Sequence, residues 1–582
     1  MFVVLGINAF HADAAACLLV DGLLMGAVAE ERLGDRVKHT SHFPVNAITR
    51  LLADNGLRLR DVTHVAVARD ASANRGAKLR YALSHPWHSA GAVLEHLRRG
   101  KRSDDAFLHL AEMCGEDPTK VSFKVIGVEH HLAHISSAYY LSSFNSKTAG
   151  FSYDASGDFV SMMAAECEGS KIKVLDKVVL PDSLGFFYTA LCQYIGFDQF
   201  GEEYKVMGLA PYGEDSFSEL MKKLVPLNDS SWFGLNKHYF GMHQGGESGG
   251  VDESQNIKMG RLYSDRLVSE LGPARQRQHP VTQREMDIAR STQVRFEEAA
   301  IHCMTKLEGL VPSEQLAMAG GSALNGVANA RIHRETSFSN QYIQPAASDD
   351  GVCLGAAYWC WHNVIGAEER FHMKHAFWGP GYADHQLYEV AKRSSFYAKS
   401  CSSDEELVQV ASRLIADGLV VGWYQGRSEW GPRALGNRSI LANPAISTMK
   451  DTINAKIKRR ESFRPFAPSV LKESVSKYFE QDINSPFMQH VVKIRKEWRD
   501  RLPAVTHVDG TGRLQTVDKE SNPLYHALIS AVEAHTGIGM VLNTSFNENE
   551  PIVDSPKQAY DCFARTDMDA LCLGRHILTK SI

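Results

Sequence analysis

Two histidines one helical turn apart offer this chain its first chemistry. In VEHHLAHISSAYY, His130 and His134 follow an apolar stretch, Ser122 to Val128, that reads as a strand, and the segment itself should begin a helix. At i, i+4 two imidazoles share one helix face and can chelate a single metal ion. His131 points elsewhere and is a candidate for a supporting contact. Two histidines at this spacing alone serve more often as surface or capping residues. Two acids in polar, glycine-containing settings strengthen the metal reading: Asp154 in DASGD and Asp349 in SDDGVCLGAA. Two imidazoles with carboxylates and open positions suit Fe(II) or Mn(II), with zinc also open. Such a metal polarises a carbonyl oxygen. His11 and Asp13, on the turn between the first two strands, are candidates to bind a substrate hydroxyl and take its proton; capping of a tight turn is an equal alternative.

A second chemistry lies in Gln425 to Pro468, which carries nine Lys or Arg against three acids, a formal +6 in a chain whose net charge is −5. The remainder therefore sums to −11. Cations gathered into one Gly- and Pro-punctuated segment of an acidic chain point to a bound polyanion, a phosphate compound first. Gly426, Gly431 and Gly436 permit close backbone approach. Arg427, Arg433, Arg438, Lys458, Arg460 and Arg464 supply cations, the arginines as planar forks for phosphate oxygens. A solvated basic helix explains KIKRR but not the arginines embedded in GPRALGNRSIL and FRPFAP. Near the C-terminus, VLNTSFNENEPIV places Asn543, Ser545 and Asn547 at the end of an apolar strand, a weakly specific ligand-site pattern. QLAMAGGSALNGVAN reads as strand, glycine turn and helix start, so that Gly320, Gly321 and Asn325 could meet a phosphate or ribose; a packing turn is the even alternative. Lys38 is a single cation in a polar run.

The elements that must position these residues show a repeat. Val3 to Ile7, Ala15 to Val20 and Leu24 to Glu30 read as a β-meander with a turn at Asp21-Gly22. A similar strand-turn-strand pattern starts at Thr148, which suggests an internal duplication with Asn8 to Asp13 facing Asp154 to Asp158. Two such halves around a cleft are the plan of the actin-like ATPase superfamily. The Gly-, Ser- and aromatic-rich stretch from Asp229 to Asn256 reads as a long surface loop, with Trp232 to Gly250 expected to shape part of a substrate pocket. Pattern weakens from Ala367 to Ser402, and a new αβ pattern begins with a helix at Asp404 to Asp417 and a strand at Leu419 to Tyr424. At 582 residues two large domains are expected. Ten scattered cysteines without a CxxC pair argue against a zinc ribbon or a disulfide framework. With no long apolar run and no basic leader, a cytoplasmic location and no membrane partner are expected. The acidic remainder argues against general nucleic-acid binding.

Together HHLAH, KVMGLAPYG, AGGSALN, SDDGVCLGAA, GRSEWGPRALGNRSIL, RRESFRPFAP and LNTSFNENEPIV resemble the O-carbamoyltransferase family that includes nodulation, cephamycin and aminoglycoside carbamoyltransferases. The resemblance implies an α/β protein with an N-terminal actin-like ATPase (ASKHA, Kae1-like) duplicated domain over 1–370, a boundary region over 371–402 and a YrdC-like α/β domain over 403–582. It implies that the second domain uses carbamoyl phosphate and ATP, with Mg, to make carbamoyladenylate. An iron-type metal in the first then helps transfer the carbamoyl group to an alcohol. By the same resemblance His130, His134, Asp154 and Asp349 match the metal ligands. Arg433, Arg438, Lys458, Arg460, Arg464, Asn543 and Ser545 fall in motifs that bind carbamoyl phosphate and nucleotide, and Lys38 touches the adenylate. The first turn departs from the family's HD by reading His11-Ala12-Asp13, which leaves open which of the two is the base. A threonylcarbamoyl-type tRNA-modifying enzyme is the alternative reading. The acceptor is a hydroxylated small molecule of open identity, and the oligomeric state is open, a homodimer included.

Overall fold

The computed structural model describes residues 1–84, 110–241, 250–251 and 257–580. The centre of the loop expected at the acceptor pocket, residues 242–249, lies outside them. The chain forms two compact units, Met1–Met373 and Lys374–Ile582, each of mixed α/β structure.

In the first unit, apolar runs become buried strands β1 (Val3–Asn8), β2 (Ala15–Val20) and β3 (Leu23–Ala29). Asp21 and Gly22 both have positive φ, the geometry a two-residue hairpin turn requires. β4 (His64–Val67) and β5 (Lys124–Gly127) add in parallel, giving the order β3-β2-β1-β4-β5. The second half repeats this plan. β6 (Thr148–Gly157), β7 (Val160–Glu168) and β8 (Lys171–Val179) form an antiparallel meander. β9 (Gly250–Val251) and β10 (Ile257–Lys258) make a separate short ladder. β11 (Gln315–Ala319) and β12 (Asn340–Ile343) then extend β6 in parallel, giving β12-β11-β6-β7-β8. Read outward from its meander, each sheet has the same order and directions, as the sequence repeat led one to expect.

Each half ends in a helix that packs on the other half's sheet. Helix His130–Tyr139 follows β5 but lies on β6, β7 and β11, while helix Val352–Cys360 follows β12 but lies on β1, β2 and β4. The two helices meet where Gly355 has no side chain; a Cβ there would stand 1.7 Å from Ala133 O. This exchange brings the starts of both helices to one place. Arg370 fixes the far end of the first helix, donating to the carbonyls of Tyr139, Phe144 and Ser142, a cation where the helix dipole is negative.

The second unit is built on a nine-stranded sheet. Its strands are β13 (Tyr397–Ser400), β14 (Val421–Tyr424), β15 (Arg438–Ala442), β16 (Ala467–Leu471), β17 (His490–Lys493), β18 (Thr511–Val517), β19 (Met540–Ser545), β20 (Ala570–Leu573) and β21 (His576–Thr579), in the order β13-β21-β20-β14-β15-β19-β16-β18-β17. Residues 371–402, expected as a boundary region, include the division between Met373 and Lys374 and also carry helix Asp384–Lys392 and edge strand β13, which pairs with β21. The weak pattern there is that of an edge strand exposed along its length. One face of the sheet packs under helices Asp404–Ala416 and Pro523–Thr536 through Leu441, Leu471, Val517 and Val541. The opposite face carries Ile440, Val470, Leu514 and Leu542 in a second core. Among the described residues no helix is long and apolar enough to cross a membrane.

Candidate active centres

The crossed helices and β6 assemble the first centre. His130 and His134 project from the first helix, Asp349 stands at the start of the second, and Asp154 lies on β6. One ligand atom from each lies within 4.8 Å of the others. His134 Nε2 is 3.1 Å from Asp154 Oδ2 and 3.5 Å from Asp349 Oδ1, and His130 Nε2 is 3.2 Å from Asp349 Oδ1. His130 Nε2 and Asp349 Oδ1 are buried and neither makes a hydrogen bond, the arrangement of groups aimed at a common centre. Burial opposes charge here, yet Asp349 and Asp154 hold the His130 imidazole well above the usual histidine range. Burial likewise raises Asp349, but His11 and His130 outweigh it and hold that carboxyl well below the usual range. Two imidazole nitrogens and two carboxylates so placed fit a divalent cation.

The surroundings separate the remaining candidates. His131 does not join the cluster: its Nε2 donates to Val160 O at 3.0 Å and its Nδ1 meets Ser152 Oγ at 2.9 Å, which pins the helix to β6 and β7. Burial, then His130 and His134, keep it well below the usual histidine range. His11 Nδ1 pairs with Asp349 Oδ2, so His11 stands directly behind a ligand position. Asp13 accepts from Ser348 Oγ at 2.9 Å through Oδ2 and meets His39 Nδ1 at 2.6 Å through Oδ1. Although burial works against it, Asp13 raises His39 to about 9. His39 and Ser348 were not singled out from sequence, since neither belongs to a periodic pattern. Both adjoin residues that did stand out, Lys38 and Asp349. Lys38 itself is exposed.

The glycine turn lies against this same centre. A Cβ on Gly321 would be 3.0 Å from Asp154 Oδ1, and Gly320, with φ +99°, lies against Tyr153 O. The Gly320 N–H donates to Ala347 O, and Asn325 caps its helix through Ala328 N while pairing with Gln293. The Gly320 N–H and the Asn325 side chain are committed to protein partners.

The second unit holds the cationic centre, and here sequence and structure differ in part. Arg438 is completely buried. Its guanidinium donates to the carbonyls of Gln425 at 2.6 Å, Asn437 at 3.0 Å and Gly426 at 3.1 Å, and lies 3.7 Å from the Tyr424 ring centre. Arg427 donates to Gly379 O and Trp378 O at 2.8 and 2.7 Å. These two guanidinium groups therefore hold backbone. Lys458, also buried, donates to Ser545 O, Asn547 O and Asn547 Oδ1 at 2.5, 2.7 and 2.6 Å. That brings Lys458, Ser545 and Asn547 together but spends the ammonium on the turn. Arg433, Arg460 and Arg464 are near enough for their charges to act on a fourth arginine, Arg513, that sequence inspection passed over. Burial and then the charges of those three drive Arg513 well below the usual guanidinium range. Arg513 lies outside the basic segment, alone in an ordinary strand pattern; only the sheet brings it there. Arg460 is steered by Asn454 Oδ1 at 2.8 Å and the Phe466 ring, and Arg464 stands 3.5 Å from Glu461. Four guanidinium groups close enough for their charges to act on one another favour an anionic ligand with several oxygens.

Family models described as carbamoyltransferase N-terminus and carbamoyltransferase C-terminus match residues 3–358 and 412–580. An uncharacterised protein of Synechocystis sp. is 37% identical, the match covering 99% of this chain and 97% of that protein. Nodulation protein NolNO of Sinorhizobium fredii is 36% identical over 98% of this chain and 80% of its own length. The 3'-hydroxymethylcephem-O-carbamoyltransferase of Amycolatopsis lactamdurans is 37% identical over a shorter match, 40% of this chain and 42% of that enzyme.

Proposed function

The chain belongs to the carbamoyltransferase family, and from that premise we propose that it is an ATP-dependent O-carbamoyltransferase working in two half-reactions. In the first, carbamoyl phosphate, ATP and one water give carbamoyladenylate, phosphate and pyrophosphate. In the second, an alcohol takes the carbamoyl group and AMP leaves. The observation that carries this reading is the separation of two unlike centres, a His2Asp2 cluster in the first unit and an arginine cluster in the second.

The arginine centre suits the first half-reaction. Arg433, Arg460, Arg464 and Arg513 hold phosphate oxygens and lower the repulsion between two anionic substrates. Arg438, Arg427 and Lys458 act indirectly, by fixing the loop and turn around them. The Kae1-like and YrdC-like assignments of the two units belong to this reading.

The His2Asp2 centre suits the second. His130, His134, Asp154 and Asp349 would hold an iron-type divalent metal, which supplies polarisation of the carbamoyl carbonyl. Asp13 and His39, joined by one hydrogen bond, form an acid–base pair for the acceptor hydroxyl, and His11 orients Asp349. The acceptor is a hydroxylated small molecule or sugar-like metabolite, as the relatives' names suggest, which does not favour the tRNA-modifying alternative. His130→Ala should abolish carbamate formation while leaving carbamoyl-phosphate-dependent pyrophosphate release intact; equal loss of both in a folded variant would refute the two-centre reading.

A further inference from the structure

The duplication puts an asparagine at the same station in both halves of the first unit, and the two do different work. In the second half β11 is followed by a turn, Asn325 and helix Gly326–Glu335. In the first half β4 is followed by a turn, Asn74 and helix Arg75–Ser84. Asn325, with φ −76°, accepts from Ala328 N at 3.2 Å and so caps its own helix. Asn74 has φ +57°, a left-handed backbone that asparagine tolerates. Its carbonyl still accepts from the N–H groups of Ala77 and Lys78, but its amide turns away from the helix. Oδ1 accepts from Lys177 Nζ on β8 at 3.2 Å, and Nδ2 donates to Asp158 O at 3.0 Å and to Glu129 Oε1 at 3.3 Å.

Those two acceptors hold the start of the helix that carries His130 and His134. Glu129 caps it, accepting from Leu132 N at 2.7 Å through Oε2. Asp158 Oδ2 accepts from His130 N at 3.1 Å and from Asp70 N at 2.8 Å. Asp158 itself stands in the hairpin turn between β6 and β7, where Gly157 pairs with Val160. The two turn residues, Asp158 and Phe159, have φ +46° and +74°. Two successive left-handed residues suit a two-residue hairpin, but the residues that adopt them readily are Asn, Asp and Gly, not a bulky phenylalanine. Contacts from outside therefore hold this turn. Asn74 Nδ2 grips its carbonyl, and Tyr81 of helix Arg75–Ser84 packs edge-on against Phe159 with ring centres 5.4 Å apart.

We propose that Asn74 is a positioning residue of the His2Asp2 centre and couples helix Arg75–Ser84 to divalent-metal occupancy, through the Asp158–Phe159 turn and the Glu129 cap. This rests on the reading that the cluster holds a divalent metal, and adds a segment of the chain whose order depends on that metal. His130 is aimed by the helix start from which it projects, and a loosened start lets its imidazole drift from Asp349. Partners behind a ligand commonly change metal affinity by tenfold or more. The coupling runs both ways: whatever the Asn74 amide adds to metal affinity, a bound metal returns as order in the turn and in the helix packed on it.

Titration of the metal-free full chain with Co(II), followed by visible absorption, reads the coupling in one direction; amide hydrogen exchange of residues 77–83 with and without Co(II) reads it in the other. Asn74→Gly keeps the left-handed backbone and deletes the amide, and Co(II) affinity should fall on the order of tenfold. Asn74→Asp keeps the shape but sets oxygen against the Asp158 carbonyl and a second carboxylate beside Glu129, and should lose more than the glycine variant. In the wild-type protein Co(II) should slow exchange at residues 77–83, and in Asn74→Gly that slowing should disappear. An asparagine with a merely structural role would lower denaturant stability and leave Co(II) affinity unchanged, a result that overturns the proposal. Exchange at residues 77–83 that is indifferent to Co(II) in the wild-type protein overturns it too, and needs no variant to fold. Wild-type protein that takes up no Co(II), or His134→Ala that binds it as tightly as wild type, overturns the metal reading and the coupling with it.

Discussion

Gly157 lies flat against the imidazole of His130: a Cβ at position 157 would stand 2.0 Å from the ring's Cδ2 and 2.1 Å from Cγ. The next residue, Asp158, accepts from the His130 backbone N–H at 3.1 Å and from Asp70 N at 2.8 Å. The turn after β6 therefore both clears and anchors one ligand of the His2Asp2 cluster. Gly157→Ala should rotate His130 away from Asp349 and lower bound divalent metal, measured by elemental analysis, on the order of tenfold. Pyrophosphate release should be unchanged, because the substitution lies in the other unit.

Arg513 and Arg438 carry the same side chain in opposite circumstances, so their loss should be felt differently. Arg513→Ala removes a guanidinium crowded by like charges, which should preserve or raise stability to denaturant while weakening carbamoyl phosphate binding on the order of tenfold to a hundredfold. Arg438→Ala strips donors from three loop carbonyls in a fully buried setting. It should lower unfolding free energy by about 2 to 4 kcal/mol. If Arg438→Ala kept full stability and lost only affinity, its assignment to the loop would be wrong.

Lys458 poses a third case. Its buried ammonium joins the turn at Asn547 to the segment that ends at Arg459, whose φ of +44° marks a left-handed bend. Lys458→Met keeps the stem and deletes three donors. The turn should loosen, seen as faster amide exchange at Phe546 and Asn547, and donor-dependent pyrophosphate release should fall at least tenfold. Slowed release with unchanged exchange would mean that Lys458 meets the substrate itself.

How much of this was legible in sequence follows the range of each signal. The repeat was visible because each meander is local, and the His130 to His134 pair because one helix turn carries it. Asp154 and Asp349 stood out through polar, glycine-marked settings at strand ends. Side-chain roles inside the basic segment were not legible. A buried arginine holding carbonyls and one set among other arginines have the same letter and similar neighbours, as Arg438 and Arg433 show. Arg513 needed the pairing of β16 with β18, and His39 needed a loop that bends back through left-handed residues, with φ +58° at Asp13 and +56° at His39. Such long-range closures leave no periodicity to read.

The Asp13 and His39 pair makes transfer depend on pH in a defined direction. Asp13 raises the His39 pKa to about 9, so at neutral pH the imidazole is mostly charged and only its minor neutral form can take a proton. The rate of carbamoyl transfer from preformed carbamoyladenylate should therefore rise with pH through neutrality and level off near 9. His39→Gln should flatten this rise and slow transfer on the order of a hundredfold at the plateau. Asp13→Asn should move the rise toward lower pH, because an uncharged partner no longer stabilises the imidazolium. The stability linkage runs the opposite way. His39 binds its proton more tightly in the folded chain than at its ordinary value of 6.5. Its contribution is thus complete below about 6.5 and is lost as pH rises through about 9. A transfer rate that climbs while denaturant stability declines over that window is the joint signature of this pair; a flat rate profile in the wild-type enzyme would remove His39 from proton transfer.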